Sequence, residues 1–139
     1  YDELSKPSIL HIKSKVTKLC LNGDISTKEI LTNTEEFNLY YELAIAPPKG
    51  KKIIGKGEAA AIALAKTYNG IIASNNFRDI SKYVKKYNLE HVATGDILVA
   101  ALNKGYIDET TGNQIWSNMI AKRRMLPTST FTEYLKTSK

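Results

Sequence analysis

Three side chains carry most of the chemistry this sequence can offer: Glu58, Asn76 and Asp79. Two are carboxylates and the third has an amide carbonyl. Hard oxygens of this kind suit Mg²⁺ or Mn²⁺, which take two or three carboxylates and complete their shells with water. Each residue also has an ordinary explanation. Glu58 shares a helical face with Ala61, Ile62 and Ala65, a face expected to point at the core. A carboxylate there is costly unless it is solvated at the helix end, hydrogen-bonded or bound to a cation. In the first turn it also meets the positive end of the helix dipole. Asn76 can cap the next helix, with Asp79 at its third position accepting backbone donors. Asp96 and Asp108 read as first-turn acids in the same way. Glu58, Asn76 and Asp79 differ in lying near one edge of successive α/β units, where they could converge.

Other reactive groups are few. His11 lies among Ile9, Leu10 and Ile12, and His91 opens a short strand; neither has a Cys or His at zinc-ligand spacing. Both read as structural. The single cysteine, Cys20, sits in the apolar pattern of Val16, Leu19 and Leu21 and has no partner for an internal disulfide. It reads as core filler, and a reducing, cytoplasmic setting is expected. The basic loop "KGKKIIGK" at 49–56 lacks the spaced glycines followed by Lys-Ser/Thr of a nucleotide cradle.

The elements that must position these residues follow from periodicity and punctuation. Pro7 opens a helix in which Ile9, Ile12, Val16 and Leu19 recur to about Leu21, and Asn22-Gly23 stops it. Residues 24–31 suit a short strand or a loop. Thr34 caps a helix with Phe37, Tyr40, Tyr41 and Ala44 on one side, ended by Pro47-Pro48. Gly57 to Tyr68 is an alanine-rich helix, and Ile71 to Ala73 a buried strand. Phe77 to Tyr87 is a helix with Ile80, Tyr83, Val84 and Tyr87 inward. His91 to Ala93 is a second strand, Gly95 to Asn103 a helix, and Asp108 to Arg123 another with Ile115, Trp116, Met119 and Ile120 inward. Thr130 and Glu133 have capping-box spacing for a short final helix.

Helices alternating with short β-branched strands imply parallel strands joined by helical crossovers. The length, 139 residues, suits one domain with a real core. We therefore expect a single α/β domain over residues 1–139. No apolar run approaches the length of a membrane span, and there is no secretory hydrophobic region. The net charge of +6 favours polyanionic partners. Basic residues cluster at Lys49, Lys51, Lys52 and Lys56, at Lys82, Lys85 and Lys86, and at Lys122, Arg123 and Arg124. Each cluster suits either a solvated face or a phosphate track.

With those residues in place, the chain resembles the PIN-domain family, in particular the small prokaryotic PIN nucleases of toxin–antitoxin type. "GKGEAAAIALAKTYNGIIASNN" is similar to the family's Gly-Glu-Ala helix and following strand, with Glu58 at its acid. "SNNFRDI" is similar to a variant of its last acidic motif and places Asn76 and Asp79. "YDELSKP" resembles the segment of its second acid, matched by Glu3. "GYIDETTGNQIWSNMIAKRRMLPTSTFTEYL" follows the family's C-terminal pattern. The family's first acid, an Asp on an opening strand, would lie upstream of Tyr1, so an N-terminally incomplete domain is expected.

The resemblance implies a three-layer α/β/α fold with a short, mostly parallel sheet flanked by helices. It implies a ribonuclease dependent on Mg²⁺ or Mn²⁺, with Glu3, Glu58, Asn76 and Asp79 as its catalytic and metal-holding set. RNA phosphates would be tracked by Lys51, Lys52, Lys56, Arg78 and Lys82. An antitoxin protein and a second copy of the chain are the protein partners it implies. Asn75-Asn76 stands where many members have two acids, and this keeps a second implication beside the first: a PIN-like module that binds RNA or a protein without cleaving.

Overall fold

The computed structural model describes residues 10–50 and 52–137. The chain divides into two compact units, 1–31 and 32–139. In the first, α1 (Leu10–Leu21) ends where Gly23 takes φ 80° and the Asp24 N–H reaches back 2.9 Å to the Leu19 carbonyl. That left-handed step costs glycine nothing and satisfies a carbonyl the helix leaves open. Residues 24–31 take up neither helix nor strand.

The second unit is mixed α/β and mostly helical. Its elements are α2 (Glu35–Ala44), α3 (Lys56–Tyr68), β1 (Ile72–Ala73), α4 (Phe77–Tyr87), β2 (His91–Val92), α5 (Thr94–Asn103), α6 (Glu109–Ala121) and α7 (Phe131–Thr137). The two strands pair in parallel, Ile72 with His91 and Ala73 with Val92, so α4 is the crossover between them. Helix starts follow their caps. The Thr34 hydroxyl accepts from the Phe37 N–H at 3.2 Å, and Asp108 accepts from Thr111 N–H at 2.7 Å. Asn69 and Asn88 end α3 and α4 in the left-handed conformation, at φ 53° and 50°.

One apolar core joins α2, α3, β1 and α4 through Leu43, Ala44, Ala59, Ile62, Ala65, Ile72, Ile80 and Tyr83. A second joins α5, α6 and α7 around Leu98, Trp116 and Phe131. The Trp116 indole N–H donates 2.9 Å to the Thr128 carbonyl, so burial leaves no unpaired donor there. Two small residues let this core close. A Cβ on Gly112 would collide with the Phe131 ring, and one on Gly95 with the Tyr134 ring.

Three inward faces differ from the periodicity reading. The α2 stripe runs through Glu36, Leu39, Tyr40, Leu43 and Ala44, leaving Tyr41 45% exposed. The shift turns Glu36 inward, where Tyr68 donates a 2.9 Å hydrogen bond to its carboxylate. In α3 the core takes Ala59, Ile62, Ala63 and Ala65, while Ala61 is exposed. In α6, Ile120 is exposed and Gly112 is buried, because the Phe131 contact draws the N-terminal half of the helix inward. The final helix also departs in detail. Thr130 accepts from the Glu133 N–H, but Glu133 reaches back to the Ser129 N–H rather than to that of Thr130.

Candidate functional site

Parallel strands and a helical crossover leave the carboxyl ends of β1 and β2 on the same side, next to the starts of α4 and α5. Ligands in open α/β folds favour such crevices. Glu58 lies in the first turn of α3, Asn76 immediately before α4, and Asp79 in the first turn of α4. The Asn76 side-chain NH₂ donates to Asp79 Oδ2 at 2.8 Å and to Glu58 Oε1 at 3.2 Å. The opposite amide orientation would aim a carbonyl oxygen at two carboxylates, so the donor group must face them. Asn76 therefore occupies the cap position without making a side-chain cap bond; its amide bridges two acids instead.

The neighbouring residues make this arrangement. Gly55 precedes α3, and a Cβ there would run into the Glu58 carboxylate, which folds back over the helix start. The Ser74 hydroxyl accepts from the Asn76 N–H at 3.1 Å, shaping the turn out of β1. The Ser74 carbonyl takes a 2.7 Å hydrogen bond from His91 Nε2 on β2. A carbonyl only accepts, so the imidazole carries a proton on Nε2. His91 also packs against Phe77, with ring centroids 4.9 Å apart. Asn75 clasps the start of α5: its Oδ1 accepts from the Thr94 N–H at 3.0 Å and its NH₂ donates to Thr94 Oγ1 at 2.9 Å.

Asp96 is committed elsewhere. The Ala93 N–H and the Tyr134 hydroxyl donate to its two oxygens, each at 2.8 Å. The backbone donor first, and the phenol second, hold its pKa below the ordinary aspartate value. Asp108 is lowered likewise, by the side-chain bond from Thr111.

Of the residues the sequence singled out, Glu58, Asn76 and Asp79 meet. Glu3 and Lys51 lie outside the described residues. Lys52, Lys56, Arg78 and Lys82 are exposed. Arg78 stands 3.9 Å from Asp79, with 96% of its side chain in water and 51% of that of Asp79. Such an exposed pair contributes little to stability. Among the described residues no three of His, Cys, Asp and Glu come together as a metal site. What remains is two hard carboxylates bridged by an amide whose NH₂, not its carbonyl oxygen, faces them. Mg²⁺ is commonly held by one or two carboxylates plus water and substrate phosphate, so this donor set fits it.

Sequence reasoning missed the roles of Gly55, Asn75 and His91. Gly55 had a signal, being the glycine three residues before Glu58, where a carboxylate folding back over its helix start needs room. The Asn75–Thr94 clasp and the His91–Ser74 bond had none, because they join residues 19 and 17 positions apart. No family model, curated protein or solved structure matches this chain.

Proposed function

We propose that this chain is a PIN-like, metal-dependent ribonuclease that hydrolyses RNA phosphodiester bonds. The observation that carries the reading is the single amide joining Glu58 and Asp79 from two helices beside the ends of the parallel strands. Glu58 and Asp79 would hold a Mg²⁺ or Mn²⁺ ion, with Asn76 turning its carbonyl oxygen toward it. When bound, such an ion makes water nucleophilic near neutral pH and offsets phosphate charge. Lys56, at the start of α3, and Arg78, beside Asp79, would draw the phosphodiester to the acids. His91 and Ser74 hold the turn that aims Asn76. A three-layer α/β/α arrangement, an antitoxin partner, a homodimer and a cytoplasmic setting belong to the same proposal.

A specific observation favours a second reading, in which the chain binds RNA without cutting it. The Asn76 amide donates to one oxygen of each carboxylate, which turns an N–H rather than a further oxygen ligand toward the acids. The two readings separate in one experiment. RNA is incubated with the protein and Mn²⁺, with EDTA as control, beside Glu58→Gln. Cleavage by the wild type that EDTA abolishes, and that falls at least about 100-fold in Glu58→Gln, supports the nuclease. Equal cleavage by both proteins removes Glu58 from the mechanism. Intact RNA with salt-sensitive binding selects the second reading.

A further inference from the structure

The crossover helix has two faces of opposite character. Ile80, Tyr83, Val84 and Tyr87, at helical spacing, pack into the first core. The other side carries Arg78, Lys82, Lys85 and Lys86, all exposed, and the only acid on the helix is Asp79 at its start. Arg78, Lys82 and Lys85 fall at i, i+4 and i+7, and Lys86 lies one turn beyond Lys82, so the four share one side. At 1.5 Å per residue this line runs about 12 Å away from the candidate site.

Two of its ammonium groups lie over rings. Lys82 lies 4.7 Å from the Tyr83 ring centroid and Lys86 4.6 Å from that of Tyr87, which Lys66 of α3 approaches to 5.5 Å. The Tyr87 hydroxyl accepts a 3.0 Å bond from Lys86 and, with the Glu42 carboxylate as a lesser cause, holds its pKa above the ordinary lysine value. Among the described residues neither Lys82, Lys85 nor Lys86 is ion-paired with a carboxylate. Lys86 also feels the Glu42 carboxylate, yet the exposed face as a whole carries four cations against one acid, and such a row is complementary to a line of anions.

We propose that the basic face of α4 is a track for the phosphates of single-stranded RNA, leading one backbone to the Glu58–Asn76–Asp79 cluster. One row of cations fits one backbone. A duplex would present a second strand for which this face has no matching row. The proposal rests on RNA being the ligand of the functional reading, but not on cleavage.

The test measures binding of a labelled oligouridine to the full chain by fluorescence anisotropy, in EDTA and over a range of KCl. Single-stranded binding loses affinity with a log–log slope of about −0.7 per phosphate neutralised, so four cations give about −3. Lys82→Gln/Lys85→Gln/Lys86→Gln is expected to shallow that slope by about 2 and to weaken low-salt binding at least tenfold. Lys122→Gln/Arg124→Gln, in the other basic cluster, is expected to leave the slope in place. The triple Lys→Arg variant is expected to bind like the wild type. Glutamine keeps helix propensity at exposed positions, and a circular dichroism melt checks the fold. If the triple glutamine variant does not fold, Lys85→Gln alone is expected to shallow the slope by about 0.7. The proposal is overturned if the glutamine variants keep the wild-type slope, if oligouridine does not bind the wild type, or if duplex RNA binds equally well. Binding through α4 with no Mn²⁺-dependent cleavage leaves the track standing and removes the nuclease.

Discussion

Replacing Asn76 by alanine tests whether one amide holds the candidate site together. The wild-type side chain makes two hydrogen bonds to carboxylates, at 2.8 and 3.2 Å. Hydrogen bonds to charged groups contribute about 1.5–3 kcal/mol each when enclosed. Here Asp79 keeps 51% of its side chain in water, so solvent replaces part of what is lost. The two bonds together then contribute about 1–2 kcal/mol. For a folding unit of roughly 100 residues, about 4 °C accompanies each kcal/mol, which gives a fall of about 4–8 °C. The assay is a calorimetric melt near neutral pH in EDTA, repeated with Mn²⁺. In EDTA the order expected is wild type, Asn76→Ala, then Asn76→Asp, because the last sets a third carboxylate against two others. With Mn²⁺ the order of gain reverses, Asn76→Asp rising most, since cation and carboxylate then attract. Melting of Asn76→Ala within about 1 °C of the wild type in EDTA would refute the reasoning. The amide would then be a bystander.

Four further outcomes follow from other contacts. Gly112→Ala pushes a methyl into the Phe131 ring and is expected to cost about 1–3 kcal/mol, read by denaturant melt; an unchanged midpoint shows that α6 and α7 are not in close contact. Trp116→Ala empties a fully buried site and removes the donor to Thr128, with an expected loss of about 3–5 kcal/mol in the same assay. Asp96 binds its proton more weakly folded than unfolded, so its contribution is complete above the ordinary aspartate pKa and is lost as pH falls through the lower folded value. Asp96→Asn should therefore be less stable at neutral pH and lose less stability on acidification below about pH 4; parallel pH curves for the two proteins would contradict this. Asn75→Ala opens the clasp on Thr94 and is expected to raise amide exchange at the start of α5 while leaving α2 and α3 protected.

Much of the architecture is local in origin. Thr34 and Asp108, and the asparagines ending α3 and α4, mark helix boundaries because caps act over three or four residues. The paired strands at 72–73 and 91–92 fall inside the short apolar runs 71–73 and 91–93, but of the first run only Ile72 is buried, with Ile71 and Ala73 exposed. Inward faces were less legible. The α2 stripe moved by one position, and Glu36 went inward with it, because its neighbours on α3 decide which residues meet them. In the same way Gly112 is buried and Ile120 exposed because Phe131, far along the chain, packs on one half of α6.

The candidate site divides along the same line. Residue type and spacing alone put Glu58, Asn76 and Asp79 near the starts of their helices, and also allowed Asn76 to be no more than a cap. Only the tertiary structure turned the Asn76 amide away from its own helix and toward Glu58, 18 residues upstream. Capping depends on backbone donors within a turn, which sequence spacing determines. Which distant carboxylate an exposed amide meets depends on how α3, β1 and α4 pack, and no local spacing encodes that.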